Sequence, residues 1–111
     1  MENSTRKVTQ QDSEALVEEV DVEEYGKRGE RPPRARRYRI RIDKALFVVD
    51  HATVTGRELL TLAGKVPPER FEIFQKLHGG QMKKVGPDEK VDLSEPGIER
   101  FATIPLEVTE G

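Results

Sequence analysis

The 111 residues hold 34% hydrophobic, 5% aromatic and 36% charged side chains, room for one domain with a modest core and a part of the chain outside it. The absence of cysteine removes disulfides, thiolate catalysis and sulfur-ligated zinc. A net charge of −2 gives no general attraction to nucleic acid or anionic membrane. With no apolar run near the roughly 18 residues of a membrane span and no secretion signal, the chain is expected to be cytoplasmic.

Charge divides the sequence. Residues 1–35 hold nine acids and six bases; residues 36–111 hold twelve acids and thirteen bases. Within the first part "DSEALVEEVDVEEY" is acidic throughout, and "KRGERPPRARRYRIR" is almost wholly basic. Blocks of one sign with few apolar groups do not repay chain entropy, so residues 1–35 read as a disordered tail. A second reading of "ALVEEVDVEEY" exists: apolar Val20 and Val22 among acids match peptides that add a strand to a sheet edge. The arginine run reads as a solvated linker plus the outer face of the first strand, since few aromatics are at hand to stack on bases.

From Arg36 the texture changes. In "YRIRI", Tyr38, Ile40 and Ile42 alternate with Arg39 and Arg41, the pattern of a half-buried strand. "DKA" closes a hairpin onto Leu46–Val49. Thr55 and Glu58 form a capping box, with Val54 and Leu59 as its hydrophobic staple. Leu59, Leu62 and Ala63 are then expected on one helical face, and Gly64 ends the helix.

"VPPER" is a rigid link into a third strand, Phe71–Gln75, which places Phe71 and Ile73 on the core side and Glu72 and Phe74 outside. "HGG" is a turn, and "QMKKV" a short edge strand guarded by lysines. "GPDEKVDLSEPG" reads as loop with Val91 and Leu93 turned inward, and "IERFATI" is the last strand. Pro105 has no N–H for a ladder, so pairing is expected to fade near Ile104.

Catalysis has little to stand on. His51 and His78 are the two histidines and lack metal-ligand spacing, and no nucleophile motif or phosphate-cradling loop is present. No enzyme, metal or cofactor is expected.

The order strand, strand, helix, strand, short strand, strand in residues 36–105, with a proline pair after the helix, resembles the ubiquitin-like β-grasp, an α+β fold with a mixed sheet and one main helix. The words "TGRELL", "PPERF" and "EPGIERF" make residues 36–104 similar to the bacterial multiubiquitin domain family. That family usually carries tandem copies; one unit is visible here, and Glu110 stands where ubiquitin has the first of two glycines.

The resemblance implies a protein modifier that is itself a monomer. A ubiquitin-type activating enzyme would use ATP to adenylate the Gly111 carboxylate. A conjugating enzyme would deliver the acyl group to an amine of a target protein, as an isopeptide bond, and a deconjugating peptidase would remove it. Antiviral defence is one outcome suggested by related operons. Residues 106–111 are then the conjugation tail, with Leu106, Val108, Thr109 and Glu110 as the recognised lead. Glycine suits the terminal position because it has no β-carbon to crowd a nucleophile. Six extended residues reach roughly 20 Å. Phe74, with Glu72 beside it, matches the centre of ubiquitin's recognition patch. Two other uses of the fold stay open: a sulfur carrier with a Gly111 thiocarboxylate, and an interaction module that is never conjugated.

Overall fold

A computed structural model describes residues 16–107. Val17–Asp21 (β1) leads into a short helix, Val22–Lys27 (α1), then Ala35–Ile42 (β2) and Ala45–Val49 (β3) form the hairpin. Thr53–Thr55 (β4) precedes the main helix, Gly56–Leu62 (α2). After a 3₁₀ turn at Pro68–Arg70 come Phe71–Leu77 (β5), Met82–Val85 (β6), Lys90–Asp92 (β7) and Ile98–Pro105 (β8).

Antiparallel β2–β3, parallel β2–β8 and antiparallel β8–β5–β6 make one mixed sheet, and β4 pairs with β7 apart from it. Leu59 and Leu60 of α2 pack with Ile40, Ile42, Ile73, Val85, Leu93 and Phe101 in the core. This is the ubiquitin-like β-grasp.

The local chemistry of α2 follows its sequence. Thr55 Oγ1 accepts from Glu58 N at 3.1 Å, and Glu58 Oε1 accepts from Thr55 N at 2.8 Å. At the other end Lys65 N donates to Leu60 O and Gly64 N to Thr61 O, a Schellman close that needs the positive φ of Gly64. The buried face differs from the expected one. Leu60 is buried and Leu62 is 36% exposed, because the seven-residue helix turns its Gly56–Leu59–Leu60 side to the sheet.

Val91 and Leu93 are buried as expected, although "KVD" is a strand rather than loop. β8 pairs through Pro105, opposite Phe71, one residue beyond the expected fade. Proline's missing N–H leaves its carbonyl and its neighbours free to keep the register.

The largest correction lies before Arg36. Of the expected disordered tail 1–35, residues 17–27 are regular structure, and Val20, Val22 and Ala35 belong to the core. β1 runs parallel to β2, with Val17 opposite Ala35 and Asp21 opposite Arg39. Tyr38 and Arg39 also pair with β3, so β1 lies along β2's other edge. Ile42 pairs with both Ala45 and Phe101, which puts β8 on that same edge, further along. The chain therefore adds a strand to itself ahead of β8.

Helix α1 then settles onto β8. Asp21 caps it by accepting from Glu23 N and Glu24 N. Gly26 sits so close that a β-carbon there would collide with the carbonyl oxygen of Ile98. Arg31 closes the segment by donating to Ser94 O at 3.1 Å.

The like-charge blocks fail to repel because each faces the other. Glu19, Asp21 and Glu23 bond Arg37, Arg39 and Arg41, every pair 18 positions apart. Among the described residues no helix is long and apolar enough to cross a membrane, and no group of acids and histidines is placed to hold a metal ion.

Candidate functional site

β5 carries the site's centre. Ile73 and Gln75 are buried on the core side, so Glu72, Phe74 and Lys76 take the outer face. The register sets Phe74 between Ala102 of β8 and Lys84 of β6, and Glu72 beside Ile104. Cross-strand neighbours on one face touch at such separations. Phe74 is half-buried, while Ile104 is 49% exposed. The result is a small apolar strip, Phe74–Ala102–Ile104, with charges around it.

Those charges are tethered. Lys84 Nζ donates to Glu72 Oε2 at 2.9 Å, and Lys76 lies 3.7 Å from Glu99. Glu72 therefore presents a salt-bridged carboxylate at the strip's rim.

The strip's far end leads to the chain exit. Leu106 N donates to Arg70 O at 2.8 Å, one step past the Phe71–Pro105 pair. Leu106 is exposed and lines a groove of about 210 Å³ with Leu60, Phe71, Ile73 and Val85. Upstream, Asp43 accepts from Thr103 N at 2.8 Å and from its hydroxyl at 2.6 Å, and its own N–H donates to Phe101 O. The β2–β3 turn thus pins β8 three residues before Leu106. Val108, Thr109, Glu110 and Gly111 lie outside the described residues.

Beside β8, β2 and β1 form an acid–base ladder that the reading of separate charge blocks missed. Glu18 reaches Arg36 and Arg37, Glu19 reaches Arg37 and Arg39, Asp21 reaches Arg39, and Glu23 reaches Arg41, at 2.9 to 3.5 Å. Donating to the Asp21 carboxylate raises the Arg39 guanidinium further above its ordinary value, with the charges of Asp21 and Glu19 adding to it. The signal was present in the sequence as acids at 19, 21 and 23 matching arginines at 37, 39 and 41. Glu19 and Asp21 keep the strand period of two that a parallel pair requires, and Glu23 adds the third pair from the first turn of α1.

A family model described as multiubiquitin matches residues 38–105, more than half of the chain. The chain belongs to the multiubiquitin family. The matched span of this multiubiquitin domain starts at Tyr38 and ends at Pro105, so β1 and α1 lie ahead of it and the Leu106 exit directly after it. Comparison with the curated proteins and with the solved structures gave no match.

Proposed function

We propose that this multiubiquitin-family chain is a protein modifier, activated at the carboxylate of Gly111 and joined to target amines. The observation that carries the reading is the match over residues 38–105. The firmly held β8, with exposed Leu106 directly after it, supports it. In this reading the protein contributes an acyl group and a recognised surface, and its partners contribute the catalysis. A carboxylate becomes electrophilic as an acyl-adenylate, made by an activating enzyme from ATP with release of pyrophosphate. A nucleophile of that enzyme or of a conjugating enzyme then takes the acyl group with loss of AMP, and a target amine displaces that nucleophile.

Leu106, Val108, Thr109 and Glu110 are the lead that the activating enzyme and a deconjugating peptidase would read. Phe74 with Glu72 is the docking surface: an apolar centre next to an oriented carboxylate suits an interface core with a polar rim. A bacterial cytoplasmic setting and a role in antiviral defence belong to the same proposal.

The test uses the purified protein with ATP and a ubiquitin-type activating enzyme of the same cell. An acyl adduct by gel shift and intact mass is expected for the full chain and not for a chain lacking Gly111. Undiminished adduct from the shortened chain removes Gly111 as the donor. A gain matching one sulfur-for-oxygen exchange identifies a carrier instead.

A further inference from the structure

Two of the sheet's outer strands, β6 and β3, are protected unequally. β6 carries Lys83 and Lys84, the kind of residue that blunts an edge. β3, Ala45-Leu-Phe-Val-Val49, has no charge, no proline and no bulge, and among the described residues it pairs with β2 alone. Its register opposite β2 puts Leu46 beside Arg41 and Val48 beside Arg39 on the outer face. They are 50% and 45% exposed. Below the edge, exposed Leu62 and half-buried Val49 border a groove of about 170 Å³. A flat, uncharged strand with its hydrogen-bonding groups open is a template for another strand.

We propose that β3 is the self-association surface of this protein, and that its occupant is the β3 strand of a second copy, antiparallel across a two-fold axis. The strand is self-complementary about Phe47. That register sets Leu46 opposite the partner's Val48, and Ala45 opposite the partner's Val49, with no like charges in the pairing.

Charge permits the approach. The cations opposite Val48 and Leu46, Arg39 and Arg41, are already matched by Glu19, Asp21 and Glu23 of the same chain. Two copies side by side therefore do not bring bare arginines together. A charged peptide gains little from a strand with no charge of its own, which favours the identical strand as occupant. One five-residue pairing buries less than the roughly 1,200 Å² of a standard interface, so the dimer is weak and concentration-dependent. Being isologous, it closes at two copies. It leaves β5, β8 and the Leu106 exit free, and stands apart from conjugation.

Sedimentation equilibrium of the full chain, from about 10 μM to 1 mM, spans the range of such weak contacts. The wild-type mass is expected to rise from 12.6 kDa toward twice that value. Val48→Lys is expected to remain monomeric with an unchanged circular dichroism spectrum, since Val48 is half in solvent. Hydrogen exchange adds a readout that needs no variant: β3 amides are expected to slow at the high concentration. A monomer throughout overturns the proposal, as does a Val48→Lys dimer as strong as the wild type. A dimer weakened by salt but not by Val48→Lys would place the contact at the β1–β2 ladder instead.

Discussion

Phe74 and Gly26 show how much rests on single side chains. Phe74 shares β5 with Ile73, yet the two point to opposite faces, and only Ile73 belongs to the core. Truncating a buried phenylalanine costs about 3–5 kcal/mol. Phe74→Ala on the outer face is expected to cost well under that in urea unfolding, while abolishing capture of the activating or conjugating partner. A loss near the buried value, or unchanged partner binding, rules Phe74 out as a docking residue. Gly26 presents the opposite case. Adding one carbon meets the Ile98 carbonyl, backbone against backbone, with no flexible side chain to yield. Gly26→Ala is expected to lift α1 off β8 and lower the unfolding midpoint, although alanine is the better helix former. An equal or higher midpoint would show that α1 does not hold this contact in solution.

At the scale of elements, the question is what keeps β1 and α1 in place. The ladder pairs are mostly exposed, and such pairs contribute about 0–1 kcal/mol each. Burial of Val20 and Val22 is worth roughly 1.5–3 kcal/mol per side chain. The valines therefore hold the strand, and the ladder selects its register. A chain lacking residues 1–27 is expected to melt at least about 10 °C lower, at several degrees per kcal/mol. High salt is expected to lower the intact protein's midpoint by far less. An unchanged midpoint on truncation would return this segment to the disordered tail that composition suggests.

The same segment marks where sequence reading stops. The capping box, the Gly64 stop, the β5 parity and the inward Val91 and Leu93 were legible because each depends on neighbours in sequence. β1 depends on a partner 18 positions away, so its acids read as self-repelling until they are set against the arginines. Leu60 was missed for a related reason, since a short helix leaves its rotation to tertiary packing.

At the scale of the whole molecule, a self-complemented β-grasp ends in a pinned last strand, with Leu106 exposed directly after it. Asp43 ties β8 to the hairpin turn, and the Arg70 carbonyl holds Leu106 N, so backbone hydrogen bonding continues one residue past Pro105. Family membership accounts for the body of the chain, and the proposed chemistry lies wholly in the tail beyond Pro105. The most direct measurement is a tryptic peptide map of proteins captured on this chain after co-expression with ubiquitin-type activating and conjugating enzymes of the same cell. Cleavage after Arg100 leaves FATIPLEVTEG on any modified amine. Target lysines are expected to carry that peptide through Gly111, and to lose it when Gly111 is removed. Captured proteins without the remnant, with Gly111 always a free carboxylate, would contradict a role as a protein modifier.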